Sequence, residues 1–268
     1  MSTIRPITAA LSASCFVVMN RTQASFDAVF FDLFGTLVRY RDMASGWDDW
    51  LKALAEIIGQ KPEQLSGHCE GFMSQPEPEI SEDGLTLYER RLRRLCGELE
   101  ISSPPALLHE AATATISAWG AYITADPDAG PVLRDLSAKF PLALISNFDH
   151  PPYVHGLLQQ LDLRQYFAIV VVSGDVGVSK PDPRIFEPAL KAVDRSPDRV
   201  IYVGDSAEDI EGARRAGMQP VLLEIEQEAT HNDYGSGAAA IPTDKANWVV
   251  GSLVALREQL LNRSTDTE

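Results

Sequence analysis

The 268-residue chain has few cysteines, few basic residues and no long apolar run, and each shortage excludes a class of protein. Its three cysteines, Cys15, Cys69 and Cys96, are odd in number and lack zinc-site spacing, so we expect free thiols and a cytoplasmic protein. A membrane-spanning helix needs ~18 consecutive apolar residues, so we expect no membrane partner. Lysine and arginine total 23 against 38 acidic residues, and the net charge of −15 repels nucleic acid. The oligomeric state is not predicted.

Strand-like apolar runs alternate with segments of helical periodicity through most of the chain. The runs typical of buried strands lie at 28–31, 142–145, 168–172, 200–203, 220–223 and 248–250. The segments with helical periodicity lie at 129–139, 151–161, 183–192 and 207–216. This alternation predicts the α/β class, with a doubly wound parallel sheet. Ligands of such sheets bind beyond the carboxyl ends of the strands.

The segment 42–125 departs from this alternation, because helical periodicity runs almost throughout it and includes a helix predicted over 106–122. We therefore predict a helical insert over 42–125 within an α/β core formed by 26–41 and 126–262. The first 25 residues are expected to be a disordered tail, with a weak targeting segment as the alternative. Residues 227–244 are expected to form a flexible loop.

Several side chains in and near this insert are open to a structural or a functional interpretation. We expect Trp47, Trp50 and Trp119 to be core residues of the insert rather than a substrate platform. The four arginines within 90–94 are expected to form a solvated helix face. His150 is expected to be a surface histidine.

Four short motifs fall at the ends of predicted strands. They are Phe31-Asp32-Leu33-Phe34-Gly35-Thr36-Leu37, Ile145-Ser146-Asn147, Lys180-Pro181-Asp182-Pro183 and Gly204-Asp205-Ser206-Ala207-Glu208-Asp209. In order and spacing they resemble the signature motifs of the haloacid dehalogenase superfamily, whose members mostly hydrolyse phosphate esters with an aspartate nucleophile. The resemblance implies a Rossmann-like core with a helical cap inserted after the first strand. It also implies a small phosphorylated substrate.

The motif residues suggest a division of roles. Asp32 ends a strand before a flexible glycine, and its carboxylate suits nucleophilic attack on phosphorus. The resemblance implies a Mg²⁺ site formed by Asp32, the backbone carbonyl of Phe34 and Asp205, with oxygen ligands that suit this ion. Lys180 is the expected catalytic cation, and Ser146 is expected to act with it on the phosphoryl group.

The remaining motif residues are assigned to binding and support. Gly35, Thr36 and Asn147 are predicted to bind substrate alongside Ser146 and Lys180. Asp209 is predicted to hold a metal-bound water, to orient Lys180 or to complement the dipole of the following helix.

Phe34 breaks the pattern, because phosphatases of the resembling family carry a second aspartate there. That aspartate acts as general acid and base, a role worth ~10²–10⁴ in rate. Three consequences stay open. A cap residue such as His68, His109 or a glutamate replaces it; the leaving group needs no proton, as in an acyl phosphate; or phosphatase activity is feeble.

Other functions remain alternatives to the phosphatase. The 2-haloacid dehalogenases carry an aromatic residue at the position of Phe34, but by resemblance they lack a carboxylate at Asp205, which favours phosphoryl transfer. Phosphonatases also lack the second acid, but they need a cap lysine, and the insert contains only Lys52 and Lys61. A catalytically weak binding or regulatory protein is the non-enzymatic alternative.

Overall fold

The structure is a computed structural model that describes residues 25–69, 71–73, 84–225 and 243–265. The predicted tail over 1–25 and the predicted loop over 227–244 lie outside the described residues, apart from residues 25, 243 and 244. None of the described helices is long and apolar enough to cross a membrane.

The core of the described chain is a six-stranded parallel sheet. Its strands are β1 (Ala28–Phe31), β4 (Leu142–Ser146), β5 (Ile169–Val172), β6 (Val200–Gly204), β7 (Gln219–Leu223) and β8 (Trp248–Val250). They lie side by side in the order β5-β4-β1-β6-β7-β8. All six coincide with predicted strands to within one residue at either end. The parallel α/β prediction is confirmed, because strands buried on both faces show the continuous apolar runs that the sequence contains.

Helices cover both faces of this sheet. They are α5 (Ala129–Ser137), α6 (Pro151–Gln160), α7 (Ser173–Val176), α8 (Glu187–Val193), α9 (Ala207–Arg215) and α10 (Leu253–Thr265). Successive strand residues point to opposite faces: Val29 and Phe31 join one hydrophobic cluster, and Ala28 and Phe30 join another. The helix predicted over 183–192 begins with a 3₁₀ turn, Pro183–Phe186, before α8.

A helical insert, made of α1 (Met43–Ile58), α2 (Pro62–Cys69), α3 (Leu87–Glu98) and α4 (Pro105–Gly120), lies between β1 and β4 in the chain. It has its own hydrophobic cluster, which includes the buried Trp50 and Leu92, while Trp47 and Trp119 are only partly buried against it. Local capping fixes where α3 begins, because Thr86 and Glu89 form a capping box.

The insert is joined to the core by a strand pair that the sequence did not predict. The strands β2 (Val38–Tyr40) and β3 (Ile123–Ala125) pair antiparallel, and β3 falls inside the segment predicted to be helical. Three-residue strands are too short for alternation to reveal them. Arg39 reinforces the junction through an ion pair with Asp126, with its Nε 2.8 Å from Oδ2.

Two predictions about charged residues are wrong, for the same reason. Of the four arginines, Arg90 and Arg91 are buried and Arg93 and Arg94 are half-buried instead of solvated. His150 is buried instead of lying on the surface. Arg91 Nε donates to Asp149 at 2.6 Å, and Thr86 Oγ1 lies 3.0 Å from His150 Nδ1. The start of α3 therefore packs on the loop after β4 and removes these groups from water.

Candidate active site

The predicted site residues meet at the carboxyl ends of neighbouring strands. Asp32 directly follows β1, Ser146 is the last residue of β4, and Asp205 directly follows β6. Because β4, β1 and β6 are adjacent and parallel, their ends lie side by side. Lys180 reaches the same place from the segment after α7.

Lys180 is buried, and its ammonium group links three of these segments. Its Nζ donates to Asp32 Oδ1 at 2.5 Å and to Asp209 Oδ1 at 2.7 Å. It also donates to the Tyr202 hydroxyl at 3.0 Å and the Ile145 carbonyl at 3.2 Å. Burial alone would lower the pKa of Lys180, but Asp209 and Asp32 outweigh it and raise that pKa above its ordinary value. The carboxylates of Asp32 and Asp209 thus favour the charged form of this side chain beside Asp32.

Asp209 supports the site with both of its carboxylate oxygens. Oδ1 accepts from Lys180 and, at 3.0 Å, from the Tyr202 hydroxyl. Oδ2 accepts from the Ser206 backbone N–H at 3.1 Å and the Ser206 hydroxyl at 2.7 Å, which completes a capping box at the start of α9. Gly204 leaves room for this carboxylate, since a Cβ there would lie 2.4 Å from Asp209 Cγ.

Asp205 is held by the loop that follows β1. The Thr36 hydroxyl donates to Asp205 Oδ1 at 3.3 Å. Gly35 has a φ of +86°, and a Cβ at this position would lie 2.1 Å from Asp205 Oδ2, so the loop requires glycine. The Gly35 N–H is already donated to the Val38 carbonyl. Gly35 and Thr36 thus position Asp205, and their contact with substrate stays a prediction.

Negative charge exceeds positive charge in this cluster. One oxygen from each of Asp32, Asp205 and Asp209 lies within 4.8 Å of the others, a grouping that could hold a metal ion. Burial raises the pKa of Asp32 to about 7, against the opposing effect of Lys180. Burial, followed by the charges of Asp32 and Asp209, also raises the pKa of Asp205 well above its ordinary value. These carboxylates would be stabilised by a cation additional to Lys180.

The hydrogen bonds already made by the carboxylate oxygens indicate which residues could still bind a metal ion and which only support the site. Both oxygens of Asp209 already accept hydrogen bonds, whereas Asp32 and Asp205 retain free lone pairs. The Phe34 carbonyl accepts no hydrogen bond from the described residues. The residues present therefore fit a hard cation beside Asp32 and Asp205, and the part of the Phe34 carbonyl in holding it stays a prediction.

Ser146 and Asn147 differ in whether their side chains have a hydrogen-bonding group left for a ligand. The Ser146 hydroxyl is buried and has no hydrogen-bond partner among the described residues. An unsatisfied buried hydroxyl costs ~1–3 kcal/mol, so a ligand oxygen would stabilise it. The Asn147 side chain instead donates to the Lys180 carbonyl at 3.1 Å and accepts from the Lys180 N–H at 2.9 Å. Asn147 positions Lys180, and its predicted contact with phosphate stays untested.

Phe34 belongs to a group of rings that we call the aromatic cluster: Phe34, Tyr40, Trp119, Phe148 and Tyr153. The Phe34 ring centroid lies 5.1 Å from that of Phe148, 5.9 Å from Trp119 and 6.3 Å from Tyr40. Tyr153 contacts Phe148 and Trp119 at 5.5 and 6.0 Å. All five rings are only partly buried. Trp119 is therefore part of this cluster as well as of the core of the insert.

Neither histidine considered as a substitute general acid joins the carboxylates. His109 Nδ1 lies 3.0 Å from Glu89 in the insert, and His68 is exposed on α2.

Three residues near the site, Tyr202, Tyr40 and Phe148, carry no signal in the sequence. An aromatic residue in an apolar strand or loop is indistinguishable in sequence from a core residue. Only the folded structure shows that these three lie near the site.

These features place the chain in a known family. Residues 26–217 match the family model described as haloacid dehalogenase-like hydrolase, and the chain belongs to this family. The curated proteins that it resembles include phosphatases.

Individual relatives share parts of the sequence or the fold. The chain is 33% identical over 138 residues to the glyceraldehyde 3-phosphate phosphatase of Methanopyrus kandleri, covering 51% of this chain and 57% of that protein. It is 38% identical over 162 residues to the Escherichia coli pyrimidine 5'-nucleotidase YjjG, covering 59% and 64%. The chain thus spans about three fifths of the length of these two relatives. A 2-haloacid dehalogenase structure from Pseudomonas syringae shares the fold, with a TM-score of 0.59, 22% identity, and 89% and 99% of the two chains covered.

Proposed function

We propose that this protein is a magnesium-dependent phosphatase of a small phosphorylated metabolite and forms an aspartyl phosphate on Asp32. The observation that carries the proposal is the buried contact between Asp32 and Lys180, with Asp205 beside it. A nucleophilic carboxylate, a fixed cation and a second carboxylate are the groups that phosphoryl transfer to an aspartate requires. Magnesium held by Asp32, Asp205 and the Phe34 carbonyl would supply charge neutralisation for a dianionic phosphate.

The residues of this chain divide the reaction between them. Asp32 attacks phosphorus, and the bond from phosphorus to the leaving oxygen breaks. Lys180 offsets the charge of the transferring phosphoryl group, and the unpartnered Ser146 hydroxyl donates to one of its oxygens. Water then attacks phosphorus and releases the Asp32 carboxylate, which leaves without needing a proton.

We also propose that residues 42–125 act as a cap on the core formed by 26–41 and 126–262. The start of α3 is already joined to the loop that follows Ser146, because the Tyr88 N–H donates to the Asp149 carbonyl at 3.1 Å. The buried ion pair of Arg91 with Asp149 strengthens the same junction. A cap in this position would exclude water and select the substrate.

A 2-haloacid dehalogenase is the second candidate, and Phe34 is the observation that favours it. A displaced halide requires no proton, so an aromatic side chain beside the nucleophile suits dehalogenation. Asp205 favours the phosphatase instead, because by resemblance the dehalogenases lack a carboxylate at this position, whereas a metal-assisted reaction uses one. A catalytically weak regulatory protein is the third candidate, and activity measurements separate all three.

The test measures phosphate release from acetyl phosphate, with Mg²⁺ or with EDTA, alongside halide release from 2-chloropropionate. We expect Mg²⁺-dependent phosphate release that Asp32→Asn abolishes. Asp135→Asn, the same change at an exposed position of α5, is the matched control and should retain activity. Halide release unaffected by EDTA would assign the chain to the dehalogenases. No turnover of either substrate would favour the regulatory protein.

A further inference from the structure

The aromatic cluster occupies the side of the site where the family's second carboxylate is absent. Phe34 lies two residues after Asp32, and Phe148 lies two residues after Ser146. Their centroids are 5.1 Å apart and their planes are inclined by 23°, and Tyr40 and Trp119 extend the same group of rings. Burial, followed by the charges of Asp205 and Asp32, raises the pKa of Tyr40, so this ring lies within electrostatic reach of both carboxylates.

From this juxtaposition we propose that the leaving group is a phenol, so that the substrate class is the aryl phosphates. The proposal rests on the phosphatase activity proposed above and specifies its substrate. Two independent features support it: the open aromatic surface beside the nucleophile, and the missing general acid.

The aromatic surface favours an apolar ring over a polar leaving group. The five rings remain partly exposed, so part of their surface is open to a ligand. Within the cluster only the hydroxyls of Tyr40 and Tyr153 and the indole N–H of Trp119 can form hydrogen bonds, and the Tyr153 hydroxyl is buried. A sugar would therefore leave most of its own hydroxyls unsatisfied against this surface. An aromatic ring buries its apolar surface there and adds ring–ring contacts.

The absence of a general acid at Phe34 also favours a phenol, because the leaving group must then have a low pKa. A phenol has a pKa of about 10, whereas the pKa of an aliphatic alcohol is far higher and close to that of water. An aryl oxygen can therefore depart with its electron pair as a phenolate, without a proton from the enzyme. Phosphocholine would also suit an aromatic cage, but its leaving group is an aliphatic alcohol that needs the proton Phe34 cannot supply.

The reaction balances without any further reagent. Asp32 attacks phosphorus, the phosphorus–aryl oxygen bond breaks, and the phenolate takes a proton from solvent. Water then attacks phosphorus, the bond from phosphorus to the Asp32 oxygen breaks, and the carboxylate is regenerated. The attacking water loses one proton to solvent, which replaces the proton that the phenolate took. One water is consumed, and one phenol and one inorganic phosphate are released.

Three substrates test the contribution of the aromatic surface separately from that of the missing general acid. Phenyl phosphate has both the ring and the acidic leaving group, benzyl phosphate has the ring with an aliphatic oxygen, and acetyl phosphate has a good leaving group without a ring. We expect kcat/KM for phenyl phosphate to exceed that for benzyl phosphate by at least ~10²-fold, the lower value of a general acid. Phe34→Asp should reduce this ratio to below about tenfold by restoring the acid.

Two variants test the ring contact. Trp119→Ala should lower kcat/KM for phenyl phosphate relative to acetyl phosphate by roughly three- to tenfold. Trp47→Ala is the matched control, because Trp47 stacks on Trp50 within the insert and lies outside the aromatic cluster. That variant should leave the substrate ratio unchanged.

The outcomes distinguish failure of the aryl phosphate proposal from failure of the proposed phosphatase activity. Acetyl phosphate hydrolysis with equal turnover of phenyl and benzyl phosphates, or with no change in Trp119→Ala, would overturn the aryl proposal and leave the phosphatase intact. Absence of phosphate release from all three substrates would refute both.

Discussion

Replacing Lys180 by methionine should destabilise the protein strongly and abolish turnover. The ammonium is buried and contacts Asp32 at 2.5 Å and Asp209 at 2.7 Å, so its loss leaves two buried carboxylates without their cation. Removing one partner of a buried ion pair costs ~3–5 kcal/mol. We therefore expect Lys180→Met to lower the free energy of unfolding in EDTA by about 3–5 kcal/mol.

The assay is urea denaturation in EDTA, followed by circular dichroism, with phosphate release measured in parallel. Lys191→Met is the matched control: this lysine is exposed on α8, and the change should alter stability by less than ~0.5 kcal/mol. Adding Asp209→Asn to Lys180→Met removes one stranded carboxylate, so it should recover part of the stability without recovering turnover. A loss below ~1 kcal/mol in Lys180→Met, typical of an exposed ion pair, would refute the account of a buried charge cluster.

Three further predictions concern the metal ligands, the glycine loop and the thiols. Mg²⁺ should raise the thermal unfolding midpoint of the wild type but not of Asp205→Asn, measured by calorimetry; an equal rise in both would exclude Asp205 as a ligand. Gly35→Ala should abolish turnover because its Cβ would lie 2.1 Å from Asp205, whereas Gly97→Ala, which meets nothing within 4 Å, should retain it; full activity in the first would contradict the fit. Burial raises the pKa of Cys69, to about 12, and of Cys96, so peptide mapping should find both unalkylated by iodoacetamide at pH 8 until the protein unfolds; rapid labelling of either in the native state would contradict their burial.

The parallel core is readable from the sequence because burial on both faces produces continuous apolar runs. The runs that become β1 and β8 are recovered with their observed ends. Ligands of such sheets bind beyond the carboxyl ends of the strands, which predicts that Asp32, Ser146 and Asp205 lie together, as they do in the structure. The roles of these residues remain predictions, since proximity alone does not show chemistry.

What the sequence does not reveal depends on contacts between distant segments. Arg91 resembles a solvated residue until α3 packs on the loop containing Asp149, 58 positions later. Tyr202 resembles an ordinary strand residue until its hydroxyl is seen between Lys180 and Asp209. The strand pair formed by β2 and β3 is similarly defined by its partner rather than by local periodicity.

The most direct test of the central claim is detection of phosphate covalently attached to Asp32. Excess enzyme is mixed with acetyl phosphate and Mg²⁺, quenched in acid within one turnover, and analysed by intact-protein mass spectrometry and peptide mapping. We predict the mass of one phosphoryl group on the peptide containing Asp32, removed by hydroxylamine and missing in Asp32→Asn. Phosphate release with no covalent intermediate on Asp32, or an intermediate on another residue, would contradict the account.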